Sequence, residues 1–280
     1  VDGLSFEIAR SETFGLLGPN GAGKTTTIHM IVGALPSDDG TVVIGDSSDT
    51  RRPEVRRHIG FAPQALSLYE GLTGEENLRL FASICGLRGR HLDERVAWAL
   101  DFAGLTERRR DLVRTYSGGM VRRLNVACAL LHEPTMLLLD EPTVGVDPHS
   151  RNHILETIEG FQRDGLAVLL TTHQMEVAQR LCDRIGIMDH GHMLDVGSPA
   201  ELIARHGGLS AVEATLARPP KADIHLPGAF ENDTLRFDSA RPLEEVAALS
   251  AAGVEIATLN IHRPDLETVF LNLTGRRLRD

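Results

Sequence analysis

The stretch TFGLLGPNGAGKTTTIHMIVGAL, residues 13–35, decides the architecture. A short apolar run suited to a buried strand enters a glycine-rich turn, and the turn opens a helix. Within it the pattern G-x-x-x-x-G-K-[ST] falls on Gly18, Gly23, Lys24 and Thr25. Glycines let backbone N–H groups wrap closely around phosphate oxygens, a lysine reaches the terminal phosphates, and a threonine hydroxyl holds Mg²⁺. Asn20 and Gly21 lie inside the loop, and Thr26 follows on the first helical turn. Thr26 suits a phosphate contact, a cap or simple packing equally well. Such a motif arises by chance in about one chain in a hundred of this length, so the flanking strand and helix carry the identification.

Outward from this loop, LSFEI (4–8), TVVI (41–44) and HIGFA (58–62) read as strands, as do MLLLD (136–140), AVLLT (167–171), RIGIMD (184–189) and HMLDVG (192–197). Helical patterns at 149–164 and 174–183 separate the later strands. Alternation of strands and helices around a glycine loop predicts an α/β sheet core, with a helical lobe inserted at about 70–132. The pattern changes after SPAELIARHGG. Residues 1–206 are expected to form the first domain and 207–280 a small α+β domain. Its strands are expected near 210–217, 222–226, 233–237 and 254–260, and its helices near 243–252 and 264–273.

A length of 280 residues supports one large and one small core. The formal charge of −10 argues against a general nucleic-acid binder. Cys85, Cys128 and Cys182 lack metal-ligand spacing and read as buried free thiols of a reducing compartment. No apolar run reaches the roughly 18–20 residues of a membrane helix, and no signal peptide is visible. The expectation is a cytosolic chain that meets a membrane only through a partner. It starts at Val1 rather than Met, and further residues are expected upstream.

LLLDEPT (137–143) ends an apolar run in Asp140 and Glu141. A carboxylate at the C-terminal end of a strand suits a Mg²⁺ site, and Glu141 can polarise an attacking water. Two adjacent carboxylates repel, which calls for a metal ion or unequal proton affinities. His173 ends AVLLTTH (167–173) and can bond a terminal phosphate or orient Glu141, although a capping histidine is the ordinary alternative. Gln64, just after HIGFA, can reach a water or Mg²⁺, and an exposed loop glutamine is its ordinary alternative. YSGGMVRRL (116–124) opens another helix with a serine and two glycines. Free N–H groups there suit a second anion, and a plain serine cap explains the serine as well.

Taken in order, the glycine loop, Gln64, the SGG turn, Asp140–Glu141 and His173 resemble the nucleotide-binding subunit of ABC transporters over nearly the whole chain. YSGGM (116–120) resembles that family's LSGGM-type signature, with Tyr116 in the usual leucine position. VGVDPHS (144–150) resembles the loop normally written GLDP, with Val146 replacing leucine and Asp147 kept. The resemblance implies a P-loop NTPase fold of the ABC type with an inserted helical subdomain. It also implies ATP and Mg²⁺ as ligands, the metal at Thr25, Gln64 and Asp140, and catalysis by Glu141, His173 and Gln64. Two identical subunits would meet head to tail. Ser117, Gly118 and Gly119 of one would then cover the γ-phosphate bound by Gly18–Thr25 of the other, with Asp147 coupling the two sites. In that family an aromatic residue upstream of the glycine loop stacks on adenine. Phe6 and Phe14 suit the core instead, so the stacking residue is expected before Val1.

The resemblance further implies an integral membrane permease subunit docking beside the helical lobe. Gln64 would lie on that surface, with Leu66, Leu68, Tyr69 and Leu72 divided between core and socket. Arg108–Arg110 and Arg122–Arg123 read first as solvated faces; the second pair can also lend positive potential near phosphate or pair with acidic groups. DLETVFLNLTG (265–275) reads as an amphipathic helix, with Leu266, Val269, Phe270 and Leu273 on one face. The C-terminal block resembles the appendage of bacterial and archaeal drug- and antibiotic-resistance exporters with a separate ABC-2 membrane protein. The expected function is ATP hydrolysis powering export, peripheral on the cytoplasmic face of the cell membrane, with no nucleic-acid partner. The alternative is a soluble ABC-type ATPase that acts as a conformational switch.

Overall fold

The computed structural model describes residues 1–163, 165–220 and 224–276, which form two compact units, 1–199 and 200–276. In the first, β1 (Thr13–Leu17) is buried at every position. Phe14, Leu16 and Leu17 are fully covered, each contributing about 1.5–3 kcal/mol by leaving water. Continuous burial is what a central parallel strand requires. The glycine loop follows and leads into α1 (Lys24–Ile31), then α2 (Pro53–Arg56) and β2 (Ile59–Ala62).

The inserted lobe holds α3 (Gly74–Ile84), α4 (Gly89–Phe102), two short 3-10 turns and α5 (Gly118–Ala129). Thr73 and Glu76 form a reciprocal capping box at the start of α3. Leu78, Ala82, Leu100, Leu105, Leu124 and Leu131 belong to the lobe's own core. The chain then returns through β3 (Met136–Asp140), α6 (Pro148–Arg163), β4 (Ala167–Thr172), α7 (Met175–Leu181), β5 (Arg184–Asp189) and β6 (His192–Gly197).

The sheet order is β2-β3-β4-β1-β5-β6, parallel except for β6. Asp140 pairs with Thr171, and Thr172 pairs with Leu17. The C-terminal ends of β3, β4 and β1 therefore stand side by side. Asp140–Glu141, His173 and the glycine loop leave the sheet at that edge, where open α/β sheets bind ligands.

Two expected strands are absent. Residues 4–8 join no ladder; Leu4, Phe6 and Ile8 pack against the sheet core, and Phe6 stacks on Phe14 with ring centroids 5.1 Å apart. Both edges of β1 are already taken by β4 and β5, so the alternation in LSFEI reports one-sided burial without pairing. TVVI fails similarly, leaving an isolated bridge between Ile44 and Ser47.

The second unit begins with α8 (Pro199–His206). It continues as β7 (Ser210–Leu216), β8 (Ala229–Glu231), β9 (Thr234–Ser239), α9 (Pro242–Ala251), β10 (Ile256–His262) and α10 (Leu266–Thr274). Its antiparallel sheet runs β10-β7-β9-β8, and Val212, Ala214, Leu235, Phe237 and Leu249 share one core. Of the strand expected at 222–226, residues 222–223 lie outside the described residues. Ile224 and Leu226 pack on that core without strand pairing. On α10, Leu266, Val269 and Phe270 are buried, whereas Leu273 is only partly covered. Asn272 donates to the His206 carbonyl at 2.7 Å, fastening α10 to the end of α8.

Cys128 and Cys182 are buried free thiols, as expected, while Cys85 is only half-buried. Among the described residues no helix is long and apolar enough to cross a membrane.

Candidate nucleotide site

Gly23 precedes α1 with φ 100°, a left-handed conformation that favours glycine. This turn brings Lys24 back over its own loop. The ammonium is only 5% exposed and donates to the carbonyls of Gly18 at 2.7 Å and Pro19 at 3.1 Å. It also forms an ion pair with Glu141 Oε1 at 3.3 Å. Asn20 and Gly21 are exposed at the loop tip, and Thr26 is half-buried on the first turn.

Thr25 donates its hydroxyl to Asp140, 2.9 Å from Oδ2 and 3.2 Å from Oδ1. Thr171, from the adjacent strand, also donates to Asp140 Oδ1. The Thr171 oxygen in turn accepts from the Glu141 backbone N–H at 3.0 Å. This matters because Glu141 has φ 48°, an uncommon conformation for a non-glycine residue and one that surrounding structure must hold. Thr171 is the site residue that the sequence reading missed; its direct pairing opposite Asp140 is the signal that finds it. His173 Nδ1 lies 3.1 Å from Glu141 Oε1. Glu141 Oε2 is buried without a hydrogen-bond partner.

These groups form one compact constellation: Lys24, Thr25, Asp140, Glu141, Thr171 and His173. Gln64 stands apart from it in hydrogen bonding. Its side chain is exposed and enters no hydrogen bond among the described residues. Its carbonyl accepts from Arg122 at 3.1 Å.

The SGG turn is built differently. Ser117 caps α5 by accepting from the Met120 N–H at 3.3 Å. Ser117 and Gly118 are exposed. Gly119 is buried against the first turn of α6, where an added Cβ would lie 2.2 Å from Ser150 Oγ and 2.4 Å from its Cβ. Asp147 Oδ1 accepts the N–H groups of Ser150 at 3.0 Å and His149 at 3.1 Å, capping α6. The Ser150 N–H first, and other local donors with it, hold this exposed carboxyl below its usual range.

Arg122 overturns the solvated-face expectation. It is 5% exposed and meets no carboxylate within ion-pair reach among the described residues. Burial lowers its proton affinity, with Asp140 and Glu141 acting against that shift. A buried charge costs several kcal/mol, and hydrogen bonds to a charged group return about 1.5–3 kcal/mol each; the Arg122 bonds to backbone carbonyls therefore determine whether it is tolerated. Arg123, by contrast, is half-buried and donates to the Ala103 carbonyl at 2.6 Å.

The donors fit a magnesium nucleotide. Thr25 and Asp140 offer hard oxygens, and Glu141 keeps a buried acceptor atom unengaged. Among the described residues no cluster of three or more His, Cys, Asp or Glu side chains can hold a metal alone. Mg²⁺ suits that situation, since it usually takes one or two protein oxygens plus phosphates and water.

Comparison with known proteins agrees. A family profile described as ABC transporter matches residues 1–144, and a second, described as an AAA domain, putative AbiEii toxin of a type IV toxin–antitoxin system, matches 111–178. The linearmycin resistance ATP-binding protein LnrL of Bacillus subtilis is 42% identical over all of this chain and 95% of that protein. The Nod factor export ATP-binding protein I of Sinorhizobium fredii is 41% identical over all of this chain and 83% of that protein. Among solved structures, an ATP-binding subunit of an ABC transporter superposes with TM-score 0.65 and 33% identity, covering 72% of this chain and 85% of that one. The dimeric cassette MJ0796, bound to ADP and Pi in a post-hydrolysis state, gives TM-score 0.63 and 26% identity over 69% of this chain and 88% of its own. With the glycine loop, the SGG turn and the Asp140–Glu141 edge all in place, this chain belongs to the ABC transporter family as an ABC-type ATP-binding subunit.

Proposed function

We propose that two copies of this chain close head to tail around two ATP molecules and that the cycle of closure and hydrolysis drives export through a separate membrane subunit. The observation that carries this reading is the contrast between the two helix starts. Lys24 sits among buried partners, whereas Ser117 and Gly118 at the start of α5 are exposed to solvent. An exposed anion-binding turn is completed by a phosphate that another molecule brings. Asp147 and the rest of its loop brace that turn through Ser150.

In the reaction, Lys24 exchanges its bonds to the Gly18 and Pro19 carbonyls for phosphate oxygens. Asn20, Gly21, Gly23 and Thr26 line the loop that receives them, and Thr25 and Asp140, with Gln64, would hold Mg²⁺. When bound, the metal neutralises phosphate charge. Glu141 is oriented through Oε1 by His173 and Lys24, which leaves Oε2 to accept a proton from water. The water oxygen bonds to the terminal phosphorus, the bond to the bridging oxygen of ADP breaks, and ADP leaves with its electron pair. Ser117–Gly119 of the second copy offer donors to the charge that develops.

Export through a membrane subunit is supported by the relatives, which match along the full length of this chain and are named for Nod factor export and linearmycin resistance. It is also supported by the apolar side chains exposed on and beside the lobe, Leu66, Tyr69 and Ile84 among them. The decisive test pairs Asn20→Cys in one tagged chain with Ser117→Cys in another, both in a Glu141→Gln background. ATP, but not ADP, is expected to yield an intermolecular disulfide. The burial of Cys128 and Cys182 limits their interference. Cross-linking within single chains only, or none with ATP, would rule out head-to-tail closure.

A further inference from the structure

Arg122 lies on α5, in the second turn after Ser117, and is buried. Its Nη1 donates to the carbonyls of Pro63 and Gln64, each at 3.1 Å, and Nη2 stands 3.5 Å from the Val144 carbonyl. Asn125, three residues on, donates to the same Pro63 carbonyl at 3.2 Å. One side chain thus touches the loop after β2, which carries Gln64, and the loop after β3, which leads to Asp147. It is itself fixed on the helix that begins with SGG. A planar guanidinium holds its donors apart in a fixed fork that spans carbonyls on two loops, whereas a lysine offers its three donors from one compact point on a flexible stem.

We propose that Arg122 is a positioning residue that makes the Gln64 loop, the Asp147 loop and the SGG turn move as one body. Nucleotide contact at the chain's own site thereby sets the orientation of the donors it offers to the second copy. The proposal rests on the roles given to Gln64 and Ser117 under the proposed function. Without the clamp, α5 keeps the Asn125 bond to Pro63 and the packing of Gly119 on Ser150, neither of which engages Gln64 or Val144. The site can still bind ATP through Lys24 and Thr25, but the SGG turn no longer follows.

The test is hydrogen exchange of the full chain, at dilutions where it is monomeric, with and without MgATP. In the natural sequence MgATP is expected to slow exchange both at 62–66 and at 117–121. In Arg122→Met the first segment still responds and the second does not. Steady-state turnover of that variant is expected to fall about 10- to 100-fold with KM for ATP within about 3-fold, a split that general loss of structure would not give. Arg122→Lys, which keeps the charge but not the fork, is expected to respond like methionine at 117–121, and it stands in if the methionine variant folds poorly. Full coupling in either variant overturns the proposal, as does absence of any response at 62–66 in the natural chain. A missing disulfide between Asn20→Cys and Ser117→Cys would instead count against the dimer, because the exchange readout is taken within one chain.

Discussion

The helix that starts at Lys24 and the one that starts at Gly118 share a local chemistry, glycines ahead of a turn of free N–H groups, but their surroundings differ. The first is enclosed by an ammonium, two carboxylates and a histidine drawn from three adjacent strand ends. The second has a serine cap, an exposed glycine and a braced rear side. A site enclosed by its own chain can assemble before any ligand arrives. One braced only from behind is shaped to receive something held elsewhere. On the proposed reading, the difference suits the first turn to chemistry and the second to reception.

Several substitutions would break or sharpen that contrast. Glu141→Gln should lower turnover by about 10²–10⁴-fold while ATP binding persists and ATP-bound dimers accumulate in size-exclusion chromatography; unchanged turnover would remove Glu141 from its role. Ser117→Ala, placed in one tagged chain of a mixed dimer, should cost about 10²-fold at the composite site built on the other chain's glycine loop. Nucleotide trapping on each tagged chain reads this, and a defect confined to the altered chain's own loop would reverse the assignment. Gly119→Ala drives a Cβ into Ser150, so about a 10-fold loss of turnover is expected. Ser150→Gly should restore most of it.

The smallest expected effect lies in the lobe. His132 Nε2 sits 3.0 Å from the Ile59 carbonyl, and its proton affinity is lowered chiefly by burial, with that carbonyl opposing and Arg95 assisting. The fold thus favours the neutral ring. That contribution is complete above the unfolded value of about 6.5 and is lost as pH falls from there through the lower folded value. Melting curves at pH 7.5 and 5.5 should show less acid sensitivity in His132→Gln, while the nucleotide response stays unchanged.

Much of this arrangement was legible in the sequence because buried parallel strands read as continuous apolar runs. TFGLL, MLLLD and AVLLT therefore announced their positions and, with them, the placement of Lys24, Asp140 and His173. LSFEI and TVVI misled because alternation records which side is buried and not whether a neighbouring edge is free. Arg122 was misread for a related reason. Two adjacent arginines suggest a wet face, yet Gly119, Arg122, Val126 and Ala129 follow helical spacing and are all buried. The pairing of Lys24 with Glu141, and the bracing of Glu141 by Thr171, depend on strand order, which no local pattern encodes.

The buried contact between Lys24 and Glu141 also bears on how such a chain can decay over generations. Truncating Glu141 strands an ammonium in the interior, and truncating Lys24 leaves a carboxylate that His173 alone must satisfy. Duplicated copies that drift away from hydrolysis should therefore more often retain a same-shaped neutral residue at position 141 than a small one. A paralogue carrying such an exchange beside an intact glycine loop would be a partner that binds ATP and signals without consuming it.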